Sequence, residues 1–153
     1  MTTRKPLVRS SVCIIIGTIF MTLAAVSAAT AQTLGNSAIV IQYPDGTSNS
    51  YTVPVAPGMT VEEAMKVASV MSPSFKWTSI WYGSLGSYQV IAFNDVANDE
   101  YVDSNSRFWQ FCGGPKGSPQ APATRGISLF GLAPNEQITW QLVKYGGLNC
   151  PQS

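Results

Sequence analysis

Only one stretch of this chain has the pattern of an amphipathic helix with a defined start, and that constrains everything else. Thr60 precedes Val61, Glu62 and Glu63. A threonine followed three residues later by a glutamate is a capping box, in which each side chain satisfies a backbone N–H that the helix leaves unpaired. The two acids also suit the positive end of the helix dipole. Val61, Ala64, Met65, Ala68 and Met71 recur at helical spacing and predict a core-facing stripe, before Ser72-Pro73-Ser74 stops the helix. The flanking segments all read as strands. A lone helix among strands must lie on a sheet, so the expected fold class is α+β, one helix packed on a mixed sheet.

The strands are legible by alternation and by their turns. Ala38 to Tyr43 is β-rich, Pro44-Asp45-Gly46-Thr47 is a turn, and Ser50 to Val55 pairs back as a hairpin. Pro54 lacks an N–H and places this second strand at a sheet edge. Phe75 to Tyr82 and Tyr88 to Phe93 are strands joined by a tight connection, Gly83 to Ser87. Asn94 to Asn105 is polar and acidic, as expected of a surface loop. Ser106 to Cys112 is an aromatic strand in which Phe108, Gln110 and Cys112 share one face and Arg107, Trp109 and Phe111 the other. Both faces are expected to be largely covered. Gly113 to Arg125, rich in glycine and proline, reads as a long irregular loop, and Ile127 to Phe130 as a short strand or turn. The last strand, Gln137 to Tyr145, puts Ile138, Trp140 and Leu142 on one face. Trp77, Trp81, Trp109 and Trp140 are expected mostly in the core of so small a domain. Tyr82 and Tyr88, flanking the glycine connection, are better placed to meet a ligand.

The amino-terminal residues read differently. Arg4, Lys5 and Arg9 precede an uncharged, largely apolar run, and Ala29-Thr30-Ala31 has the form of a small-x-small cleavage site. Residues 1–31 are therefore expected to be a secretory signal peptide. Residues 32–37 then form a polar leader, and residues 38–150 the domain. Secretion leaves Cys112 and Cys150 as an even pair in an oxidising compartment, so a disulfide is expected between them. In the chain-entropy description it stabilises by about 3–4 kcal/mol. The signal segment holds three of the chain's nine basic residues and none of its eight acids, so the remainder carries −2 rather than the whole chain's +1. A mildly acidic domain without a basic stripe is a poor nucleic-acid binder, and no stable membrane span is expected once the signal is cleaved. Only 11% of residues are charged and 10% are aromatic, which argues against disorder.

The chain contains no histidine. That removes Ser-His-Asp and Cys-His nucleophile arrangements and the commonest zinc ligand. No Gly-x-Ser-x-Gly elbow and no phosphate-cradling glycine loop is present. Glu62 and Glu63 are accounted for by the helix start. Asp95, Asp99, Glu100 and Asp103, with Asn94, Asn98 and Asn105, are oxygen donors of the kind calcium uses, but their spacing fits no EF-hand, and a solvated loop is the expectation. No catalytic residue, resident cofactor or metal site is therefore assigned, and a non-enzymatic role is expected.

A set of motifs in order carries a resemblance. These are Pro57-Gly58-Met59-Thr60-Val61-Glu62-Glu63-Ala64-Met65, Phe75-Lys76-Trp77, Ser84-Leu85-Gly86-Ser87-Tyr88, Ser106 to Phe111, Gly126-Ile127-Ser128 and Asn135 to Trp140. From about Ala38 to Tyr145 the chain resembles the carboxy-terminal β-grasp domain of transcobalamin and intrinsic factor and stand-alone domains like it. The resemblance implies a ubiquitin-like β-grasp fold with the last strand beside the first, and a soluble small-molecule ligand, a corrinoid such as cobalamin or another tetrapyrrole. It implies ligand contacts from the Ser84-Leu85-Gly86-Ser87-Tyr88 loop, with Ser84, Leu85, Gly86 and Tyr88, and from the segment after the Trp109 strand, from Gly113 and Gly114 onward. In the carriers a helical-barrel domain holds the other face of the corrinoid and the loop has a Trp where this chain has Leu85. For this chain the resemblance thus implies a helical-barrel partner protein for tight binding. The alternative is an extracellular structural or protein–protein interaction module that reuses the fold.

Overall fold

The computed structural model describes residues 34–101 and 103–152; the segment read as a signal peptide, residues 1–31, lies outside them. The elements run β1 (Gly35–Gln42), β2 (Ser48–Val55), α1 (Val61–Met71), β3 (Trp77–Tyr82), β4 (Ser87–Phe93), β5 (Val96–Ala97), β6 (Arg107–Pro115), β7 (Ala121–Pro122) and β8 (Glu136–Lys144). Five strands form one sheet in the order β2-β1-β8-β6-β7, and three form a second in the order β3-β4-β5. The architecture is α+β: one helix on mixed sheets.

The larger sheet follows from its sequence. Asp45 accepts from the Thr47 amide at 2.9 Å and from its hydroxyl at 2.7 Å, closing the hairpin turn between β1 and β2. Pro54 falls on the edge strand β2, opposite Asn36. β1 and β8 are the central pair and run parallel, with Ile39 beside Ile138 and Ile41 beside Trp140. Central strands are covered on both faces, and Ser37, Ala38, Ile39 and Ile41 on β1, like Ile138, Thr139 and Trp140 on β8, are all buried. β6 pairs antiparallel with β8 over its whole length.

Helix α1 has the expected capping box: the Thr60 amide donates to Glu63 Oε2 at 2.8 Å, and the Glu63 amide to Thr60 Oγ1 at 3.3 Å. Its remaining free amides are taken by the 126–131 turn, where Phe130 O accepts from Val61 at 2.9 Å and Ile127 O from Glu62 at 3.1 Å. This disposes of the unpaired donors at a helix start and locks that turn against the helix. Val61, Ala64, Met65 and Ala68 enter the same core as Phe75, Phe93, Trp109 and Trp140. The disulfide Cys112–Cys150 is present, with a Cα separation of 5.6 Å, and ties β6 to the carboxy-terminal tail.

Several expectations are corrected. The strands divide between two sheets rather than one. β1 begins at Gly35, inside the stretch read as a polar leader. The acidic loop contains β5, and the loop after Cys112 contains the end of β6 and all of β7. Of the two readings of Ile127 to Phe130, strand or turn, the turn is the one found, with Leu129 and Phe130 both donating to Gly126 O. Met71, the last residue of the helix, is 56% exposed, and Trp81, opposite Tyr88 near the end of β3, is 57% exposed. Phe108 and Gln110 are half-buried, so only the Trp109 and Phe111 face of β6 is fully covered there.

Candidate ligand-binding cleft

Where the two sheets diverge, β4 and β6 leave between them a cleft of about 610 Å³. That is within the range of cavities that hold small molecules, roughly 300–1,000 Å³. Its floor is aromatic: Trp109, Phe111 and Trp140 line it, all buried. These rings are fixed by one another and by the backbone. Phe111 and Trp140 have centroids 4.7 Å apart, and Phe93 lies 5.0 Å from Trp109 and 5.1 Å from Trp140. Trp109 Nε1 donates to Val96 O at 3.0 Å, and the Trp109 amide to Asn98 Oδ1 at 2.8 Å. The two-residue strand β5 and the asparagine after it therefore hold the floor tryptophan in place. Trp140 Nε1 is buried without an acceptor among the described residues.

Three walls rise from this floor. The β3–β4 turn contributes Leu85, and β4 contributes Tyr88 to Val90. The segment from Pro122 to Leu129 contributes the second wall, and Tyr145, Gly146 and Leu148 the third. Leu85, Leu129 and Tyr145 are large apolar side chains left in solvent. The second wall is held by a short polar network. Ser128 Oγ donates to Glu62 Oε2 at 2.6 Å, Lys66 Nζ donates to Glu62 Oε1 at 2.6 Å, and the Ser128 and Tyr88 amides donate to Ser87 Oγ and Ser128 Oγ at 3.0 and 3.3 Å. Burial pushes the Glu62 carboxyl up, but the hydrogen bonds from Lys66 and Ser128 outweigh it and hold it below its ordinary value. Gly126 sits so close to Ser87 that a Cβ there would collide with that side chain. The Ser128 hydroxyl is thus a structural tie.

Of the residues expected to contact a ligand, Leu85 and Tyr88 line the cleft, and Ser84 and Gly86 lie on the same turn, where Gly86 has φ +58°. Tyr82 is exposed outside the lining. Gly113 and Gly114 lie on β6 away from the lining: a Cβ on Gly113 would meet Phe130 at 2.8 Å, and one on Gly114 the Pro119 carbonyl at 3.2 Å. Close packing accounts for both. Sequence reasoning missed Arg125, Leu129, Tyr145 and Leu148 as wall residues. The acidic loop is organised by Asp99, which accepts from Arg107 Nε at 2.9 Å and Nη2 at 3.0 Å. Those bonds hold the Asp99 carboxyl below its ordinary range. Among the described residues no group of three or more carboxylate, histidine or cysteine side chains is arranged to hold a metal, and no helix is long and apolar enough to cross a membrane.

No protein-family model matches the chain, and no curated protein matches it in sequence. Among solved structures, haptocorrin in complex with cobinamide is similar with a TM-score of 0.57 at 14% identity, over 73% of this chain and 26% of haptocorrin. A candidate metal-binding protein from Ruminococcus gnavus is similar with a TM-score of 0.46 at 14% identity, over 71% of this chain and 97% of that one. The chain therefore spans about a quarter of the haptocorrin chain it matches, and shares with that part of it a related fold.

Proposed function

We propose that this protein is a secreted, non-catalytic ligand-binding module of the β-grasp type, whose cleft takes a corrinoid or another tetrapyrrole. The observation that carries the reading is the open, aromatic-floored cleft between β4 and β6. Its size suits a large flat ligand, and its rim carries apolar side chains that gain most by being covered. The hairpin, the single helix and the parallel β1–β8 pair support the β-grasp assignment. The haptocorrin likeness supports a corrinoid as the first ligand to try. The disulfide supports an oxidising compartment and, with it, the reading of residues 1–31 as a signal peptide and 38–150 as the domain. Within the proposal Leu85 and Tyr88 touch the ligand, with Ser84 and Gly86 shaping their turn, while Gly113 and Gly114 keep the rear of the site closely packed. A cleft open on one side covers one face of a flat ligand, so a partner protein covering the other is needed for tight binding.

Calorimetric and absorbance titration with cobinamide and with haemin tests this. Binding in the micromolar range to at least one of them is expected, weakened several-fold by Leu85→Ala. That variant should remain as stable as the parent, because Leu85 is 56% exposed. No heat and no spectral change with either compound would overturn the proposal. One observation favours a second reading, a protein-interaction module: Ile80, Trp81 and Tyr82 are all exposed on β3, an edge strand of the smaller sheet.

A further inference from the structure

Arg125 is the single charged residue among those lining the cleft. It is exposed, and neither of the ion pairs among the described residues, Lys66–Glu62 and Arg107–Asp99, involves it. No aspartate, glutamate or lysine lines the cleft beside it. The rest of the lining is apolar or neutral. An apolar ligand filling this space would cover the guanidinium and strip water from it without giving it a partner, and an unpaired charge withdrawn from water is costly. A ligand with a carboxylate at its edge removes that cost, because guanidinium and carboxylate match in shape and pair through two parallel hydrogen bonds. A cationic ligand would meet the guanidinium and no acid to offset it.

We propose that the cleft selects an anionic ligand: a flat, apolar ring compound bearing a peripheral carboxylate, with the rings over the aromatic floor and the carboxylate on Arg125. The inference rests on the ligand-binding reading and adds to it the charge of the ligand, and so separates tetrapyrrole acids from ring systems whose edges are neutral.

The matched probes are protoporphyrin IX, with two carboxylates, and its dimethyl ester, both titrated in dilute non-ionic detergent by tryptophan quenching and Soret absorbance. The free acid is expected to bind at least tenfold more tightly than the ester. Arg125→Gln should bring the two within about twofold of each other by weakening the acid alone, and Arg125→Lys should restore part of the difference. Raising the salt concentration should weaken the acid modestly and leave the ester unchanged, because a pair at the mouth of an open cleft is only partly shielded from salt. Equal binding of acid and ester by the native protein, or a preference that survives Arg125→Gln, overturns the inference and leaves the ligand-binding reading standing. So does binding of cobinamide with no binding of either porphyrin. Failure of both cobinamide and haemin overturns the ligand-binding reading itself.

Discussion

Glu62 shows how a single residue links the helix start to the rim of the cleft. Sequence alone accounted for it by the helix dipole, and its position in the first turn fits that. The structure adds two partners no local pattern announces: Ser128, which is 66 residues away in the chain, and Lys66 one turn on. Because its carboxyl is held below its ordinary value of 4.5, the stability it contributes is complete above the pKa of the unfolded chain and is lost as pH falls through the lower folded value. Asp45, Glu63 and Asp99 are lowered as well, so acid should destabilise the native protein by several routes. Glu62→Gln removes one of them. Urea unfolding between pH 3 and 7 should show the variant less stable at pH 7, with the gap narrowing below about pH 4.5; a gap independent of pH would refute the tie. Gly126→Ala makes a steric test of the same wall. Its Cβ would overlap Ser87, and overpacking of that kind costs about 1–3 kcal/mol. Chemical denaturation reads that loss directly.

Helix α1 was readable in the sequence because capping is local: Thr60 and Glu63 need only each other. Thr60→Ala should cost about 1 kcal/mol by urea denaturation with an unchanged slope, and no change at all would mean that the turn carbonyls already suffice. The helix end was readable too, at Ser72 after Met71, but the exposure of its last turn was not. Periodicity put Met71 on the buried stripe, yet an eleven-residue pattern does not say how far along the helix its cover extends, and Met71 is exposed. The same limit hid β5 and β7, since two residues have no alternation to count. β6 and β8 were readable through Trp109 and Trp140, which do share one interior. Trp81 looks the same in sequence and lies in solvent, because the end of β3, from Ile80 to Tyr82, is exposed on both faces. The cleft was half legible. Leu85 and Tyr88 come from one short turn between two legible strands, whereas Arg125 and Leu148 reach it from irregular segments whose course no periodicity describes.

At the scale of the whole molecule, the parallel pairing of β1 with β8 brings the last strand back beside the first, and the tail beyond β8 then has to be held. Three links do this. Cys150 is bonded to Cys112, the side chain of Gln141 accepts from the Asn149 amide at 3.4 Å and donates to its carbonyl at 2.9 Å, and the Gln120 amide donates to Pro151 O at 2.9 Å. Cys112 is next to the floor residue Phe111, and Cys150 follows the wall residue Leu148 by two positions. One covalent link thus fixes the third wall of the cleft against its floor. Hydrogen bonds at an exposed chain end open readily on their own, so the disulfide is the link that makes the wall permanent. Replacing both cysteines by serine should lower stability by about 3–4 kcal/mol. Hydrogen exchange resolves where the change falls. Amides from Tyr145 to Gln152 and from Gln120 to Ala123 should lose protection by orders of magnitude under conditions where β1 and β8 keep theirs. Any ligand of the cleft should bind more weakly to the serine variant, in proportion to the time the wall is away. Loss of protection spread evenly over both sheets would mean that the bond stabilises the fold as a whole and has no particular bearing on the cleft.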